Sequence, residues 1–187
     1  FDVVCLQFVL EHILDPEAMI RQATAHLKPE GVLYVCCPND FTPIQYRAGI
    51  AIGKPFYWVH VPDHISYFSF DSLEKLLLRC GLTPVLRDTT FPMEGWLLTP
   101  DMDYISKPHL GREFHNIRME YELTLDKADR DSRRLLMRSM AMAGRGRDAI
   151  IYSKWKGEQC SRCGKRLNEH PDITAMGDSV RSFLWCD

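Results

Sequence analysis

The chain reads as an α/β protein: a sheet opening on parallel strands, with helices on its faces. Three observations predict this. An apolar run, Phe1-Asp2-Val3-Val4-Cys5-Leu6, is followed by a helix-forming stretch and then by a second apolar run, Val32-Leu33-Tyr34-Val35-Cys36-Cys37. Strand, helix and strand in about forty residues make a βαβ unit, whose two strands run parallel. Further on, a capped helical stretch leads into a strand-like run near residues 83–90, and another such run lies near 148–155.

Each element has local reasons. The first run is rich in β-branched residues and suits a strand buried on both faces. Asp15 is a good N-cap, Pro16 sits where an N–H would lack a partner, and Glu17 favours the positive helix end. Met19, Ile20, Ala23 and Leu27 recur at helical spacing, which predicts a helix over 16–28 that stops at Pro29 and Gly31. Residues 41–69 are irregular and aromatic, with a short helix expected between Ile44 and Ile52. Asp71 with Glu74 is read as a capping box for a helix whose apolar side is Leu73, Leu76, Leu77 and Cys80 and whose stop is Gly81. Pro84 marks the following strand as an edge or a late start. Residues 92–110 are expected to form a long loop or lid. Leu123, Leu135, Leu136, Met140 and Ala143 would line one or two helices in a charge-rich, Met-rich stretch. Gly144-Arg145-Gly146 is read as a turn, because it follows a helix and lacks a third glycine.

Composition sets the bounds. The chain has 187 residues, 45% hydrophobic and 26% charged, with a net charge of −2. That suits one globular domain with a short appendage and gives no global drive toward nucleic acid or anionic membrane. No apolar run approaches bilayer length. Cys5, Cys36, Cys37 and Cys80 sit in apolar runs, where Cys acts as a small hydrophobe; a reducing, cytoplasmic setting is expected.

The residues also carry a resemblance. FDVVCLQFVLEHILDP and LKPEGVLYVCCPN resemble the fourth strand, following helix and fifth strand of class I S-adenosylmethionine (SAM)-dependent methyltransferases. The nearest pattern has LEH, DP, LKPGG and PN motifs, here Leu10-Glu11-His12, Asp15-Pro16, Leu27 to Gly31 and Pro38-Asn39, with Glu30 at the first Gly of the pair. The likeness continues through residues 64–69 to Gly81 and, more weakly, to Trp155. It implies a partial Rossmann-like methyltransferase sheet, strands four to seven of the family, over residues 1–156, with a helical insertion at about 111–143. It implies SAM as cofactor, with Leu6, Gln7 and Phe8 facing cofactor or substrate, or else packing the strand end. The glycine-rich loop and the ribose-binding acid are expected upstream of Phe1, so the chain alone is expected to be inactive.

Two His are candidates for catalysis. His12 lies in the LEH motif, either as a catalyst or as a packed histidine. In relatives that methylate quinone precursors, this stretch reads E-x-x-E-H and is associated with a divalent metal. Phe8 stands at the first Glu, and a phenyl ring cannot ligate a hard cation. His64 lies in a loop with His60 and three large aromatics; it either removes a hydroxyl or amine proton from the acceptor or anchors the loop.

Residues 157–187 are read as a zinc-ribbon-like tail. Cys160-Ser161-Arg162-Cys163-Gly164 is a thiolate knuckle for Zn²⁺, with Cys186 as a third ligand and His170 or a later residue as the fourth. The expected activity is SAM-dependent methyl transfer to a small-molecule, sugar or lipid-precursor acceptor at O or N. The alternative is a degenerate methyltransferase-like scaffold that holds a partner protein through the tail.

Overall fold

A computed structural model describes residues 1–157. Four strands form one sheet: β1 (Val3–Gln7), β2 (Val32–Pro38), β3 (Leu82–Asp88) and β4 (Asp148–Trp155), in the order β1-β2-β4-β3. β1 and β2 are parallel, with Val3 opposite Val32 and Gln7 opposite Cys36. β4 lies antiparallel between β2 and β3. The parallel β1–β2 pair is what the βαβ reading predicts, and the antiparallel β3–β4 pair, with the order first, second, last, third, is what the family resemblance implies. Pro84 sits on the edge strand, and the register shifts between Pro84 and Leu86.

α1 (Pro16–Ala25) starts as expected: Asp15 accepts from the Ala18 N–H, and Pro16 opens the helix. It ends at Ala25, three residues earlier than the apolar spacing indicates, although Leu27 is still buried. The turn that follows depends on Gly31, where a Cβ would come within 2.8 Å of the Lys28 carbonyl. Glu30 takes φ 64 and the turn keeps its course. α2 (Pro43–Ala51) is capped reciprocally by Thr42 and Gln45. α3 (Phe70–Arg79) is capped by Ser69, not by Asp71: Ser72 N donates to Ser69 Oγ and Ser69 N donates to Ser72 Oγ. Asp71 and Glu74 turn instead to Arg87 on β3. α1 and α3 bury Ile20, Ala23, Leu73, Leu76 and Leu77 in one cluster with Leu33, Val35 and Cys37 of β2.

Three further expectations change. β1 is not buried on both faces: Val3, Cys5 and Gln7 are exposed, and Leu6 alone is buried. Within 92–110, Glu94–Leu98 forms a 3-10 turn, and Pro108 already opens a helix. The helical stretch is a hairpin of α4 (Pro108–Ala128) and α5 (Arg130–Met142). Its buried residues are Arg118, Glu122, Met137 and Ala141, while Leu123, Leu135, Leu136 and Ala143 are exposed. Charge pairing holds that hairpin: Arg118 Nη1 reaches Glu122 Oε1 at 3.1 Å, and Arg133 Nη2 reaches Glu122 Oε2 at 2.9 Å.

Candidate functional site

β3 and β2 are both antiparallel to β4, so β1, β2 and β3 all end at one rim of the sheet. In open α/β sheets that rim is where ligands bind. Three segments leave the strands there: Phe8 to His12, Asn39 to Thr42, and Thr89 to Pro92. The loop over residues 56–68 returns to the same rim. Ile65 and Ser66 N–H groups donate to the Glu11 carbonyl at 2.7 and 3.1 Å, and Phe68 bridges to Asn39.

The turn after β1 is tight. Phe8 has φ 53, a left-handed backbone rare for a bulky residue, and its N–H donates to Cys36 O at 2.9 Å. Leu10–His12 then forms a 3-10 turn that puts the Glu11 side chain inside and His12 outside. Glu11 is 1% exposed, and its Oε2 has no hydrogen-bond partner. His12 Nδ1 lies 2.7 Å from the Asp63 carbonyl. A carbonyl only accepts, so Nδ1 carries the proton and the neutral ring leaves Nε2 as an acceptor. Nε2 is 3.9 Å from Glu11 Oε1.

His64 completes the group. Its ring centroid is 4.9 Å from that of His12 and 5.6 Å from that of His60. Its Nδ1 is buried without a partner. Burial, then the neighbouring His12, lowers its pKa below the usual histidine value, with Glu11 pulling the other way. One donor atom from each of Glu11, His12 and His64 lies within 4.8 Å of the other two.

The aromatic loop packs around Trp58. Trp58 is buried, and Phe41, Tyr46, Phe56 and Tyr57 meet it edge-on or tilted at 5.1 to 5.9 Å. Phe41 and Phe56 remain exposed at the surface. Between the ends of β2 and β3 lies a cavity of about 340 Å³ lined by Thr42, Ile44, Phe91, Pro92, Trp96 and Arg145.

Buried charge also collects along this rim. Asp40 is held by Gln45, and burial pushes its pKa up to about 7, helped by Glu11, Glu94 and Asp148. Burial likewise raises Glu94 and Asp148, while Arg147, 3.3 Å from Glu94, opposes the rise in both. Asn39 is fully buried and donates to the carbonyls of Gly146 and Gly144 at 3.0 and 3.3 Å. The Pro38-Asn39 motif therefore ties the end of β2 to the turn before β4.

The residues singled out from sequence divide three ways. His12 and His64 come together from segments far apart in the chain. Gln7 and Phe8 are exposed at the end of β1, where an amide and a ring face fit one wall of a nucleoside site, but Leu6 belongs to the apolar core. Cys160, Cys163, Cys186 and His170 lie outside the described residues. Sequence reasoning missed Glu11 as a site residue, although it stands inside the LEH motif. It also missed Asp40, Glu94 and Arg147, whose spacing carries no signal.

Residues 1–86 match the family model described as a methyltransferase domain. The match spans the βαβ unit, the aromatic loop, α3 and most of β3. It therefore includes His12, His64 and Glu11, while the α4–α5 hairpin and β4 lie beyond it. No curated protein matches the chain. Among the described residues, no helix is long and apolar enough to cross a membrane.

Proposed function

We propose that the protein transfers a methyl group from SAM to an oxygen or nitrogen of a small-molecule acceptor, a sugar or lipid-precursor hydroxyl included, at the rim where β1 and β2 end. SAM supplies an electrophilic methyl group on a sulfonium. The chain's own residues have two tasks. Gln7 and Phe8 form part of a wall at the end of β1. His64 takes the acceptor proton, with His12 beside it. Positioning and a base of near-neutral pKa are what such a displacement needs. The observation that carries this reading is His64 itself: a ring nitrogen without a partner, at the rim, in the segment that matches the methyltransferase family. A histidine that only anchored its loop would spend that nitrogen on a backbone group.

The test is methyl transfer from labelled SAM to a panel of hydroxyl and amine acceptors, with the full-length protein. His64→Ala is expected to lower kcat by about a hundredfold or more while leaving the SAM Kd unchanged. An unchanged kcat would return His64 to a structural role. No transfer to any acceptor, together with no SAM binding, would overturn the enzymatic reading in favour of a scaffold.

A further inference from the structure

Resting on the methyl-transfer reading above, we propose that the cavity between the ends of β2 and β3 holds the acceptor, and that the acceptor is an elongated apolar monocarboxylate. Its body lies against Ile44, Phe91 and Trp96, and its carboxylate meets Arg145, all of which line the cavity.

The cavity has the size and lining of a small-molecule site. Its volume of about 340 Å³ falls within the range of about 300–1,000 Å³ usual for such pockets. Ile44, Phe91, Pro92 and Trp96 make its wall largely apolar. The rings of Phe91 and Trp96 lie 6.1 Å apart at 36°, and each packs on a further ring, Tyr121 at 5.1 Å and Phe114 at 5.6 Å. Two half-buried rings fixed in this way offer an apolar body contact area at little ordering cost. Arg145 is the one charged residue that lines the cavity. Among the described residues its guanidinium has no hydrogen-bond or ion-pair partner, whereas Arg147, two residues on, is paired with Glu94. The turn that carries Arg145 is fixed. Its N–H donates to Met140 O, Asn39 holds the carbonyls on either side of it, and Arg147 N–H donates to Thr90 O. Gly146, at φ 105, lies so close to Thr89 that a Cβ has no room there.

Charge decides the class of ligand. One guanidinium matches one carboxylate, which it meets with two parallel N–H donors. The carboxyl groups of Asp40, Glu94 and Asp148, buried along the same rim, disfavour a phosphate dianion. Position ties the cavity to the reacting group. Thr42 follows Phe41, whose ring lies 5.8 Å from that of Tyr67, and Tyr67 lies 6.0 Å from His64. A short acid would end before it reached His64. The carboxylate and the reacting oxygen or nitrogen therefore stand at opposite ends of the acceptor. That atom gains the methyl group and loses its proton to His64, and the sulfonium leaves as a neutral thioether.

Titration calorimetry on the full-length protein, without SAM, tests the pocket with naphthoate, its neutral amide and naphthyl phosphate. Naphthoate is expected to bind with a Kd below about 1 mM. The amide and the phosphate should each bind at least about fivefold more weakly. Arg145→Gln should bring naphthoate down to the affinity of the amide and leave the amide unchanged. Trp96→Ala should weaken naphthoate and amide alike, by about fivefold or more, and circular dichroism checks that it is folded. Arg145 is exposed, so its substitution tests the site even if Trp96→Ala does not fold. No binding of naphthoate at millimolar concentration, an unchanged naphthoate affinity in Arg145→Gln, or phosphate bound as tightly as carboxylate would overturn the assignment. Binding is read without turnover, so failure of the pocket and failure of methyl transfer are separate results.

Discussion

The β1–β3 unit and the α4–α5 hairpin bury different chemistry. In the first, Leu10, Ile20, Leu33, Leu73 and Leu77 are fully covered, and helix and sheet share one apolar cluster. In the hairpin, the carboxylate of Glu122 is buried between Arg118 and Arg133 and also accepts from the Phe91 N–H, while Leu123 and Leu135 face solvent. Leucines at helical spacing thus meet opposite fates. Periodicity shows which residues share a face; only the neighbouring elements decide which face is covered.

The largest test of this contrast is Glu122→Ala. It leaves buried Arg118 without its carboxylate and Phe91 N–H without its acceptor, and the expected loss is about 3–5 kcal/mol in urea unfolding. Leu123→Ala, one residue on, should change stability by less than about 0.5 kcal/mol. Equal effects would mean that apolar contacts hold the hairpin after all.

The next test sits just past the end of β2. Asp40 ordinarily titrates near 3.8 and is pushed up to about 7 by burial and by the charges of Glu11, Glu94 and Asp148. The folded state therefore binds more protons than the unfolded chain between these values. Stability should fall as pH rises from about 4 to about 7 and level off above, by up to about 4 kcal/mol from this group. Asp40→Asn should remove that slope, and urea midpoints of both proteins at pH 5 and pH 8 measure it. A wild-type curve parallel to that of the variant would mean that Asp40 is solvated.

Within the apolar region, Leu77→Ala should cost about 3 kcal/mol, since a fully buried side chain leaves a cavity. Leu135→Ala in the hairpin should cost almost nothing. Among the losses expected to be measurable, the least is Ser69→Ala at the α3 cap, about 1 kcal/mol by thermal melting. If Asp71→Ala costs more than Ser69→Ala, the cap belongs where the sequence places it.

How far the sequence reaches follows the same division. The parallel pair, the Asp15 cap and the edge position of Pro84 rest on local chemistry and were legible; the sheet order followed from the family resemblance, not from local chemistry. The α3 cap slipped because Ser69 and Asp71 are both good caps, and the choice depends on Arg87 drawing Asp71 and Glu74 toward β3. At the rim, His12 and His64 each stood out alone, but nothing local says that their rings come within 4.9 Å. Nor does the LEH motif say that Glu11 is the member turned inward. The Glu94–Arg147 pair joins residues far apart in the chain, and the Glu122 network depends on how α4 packs on α5.

The central place of β4 has a consequence for synthesis. Cys36 of β2 pairs with Ile150 of β4, and β3 joins the sheet through β4. On the ribosome, more than a hundred residues therefore emerge before the inner edge of β2 finds its partner. At about 5–20 residues per second, that edge stays open for roughly 6–20 s. During this interval the nascent chain presents an unpaired strand, Val32–Pro38, to its surroundings. An early-stalled ribosome should hold a species that binds chaperones, and release from them should coincide with emergence of residues 148–155.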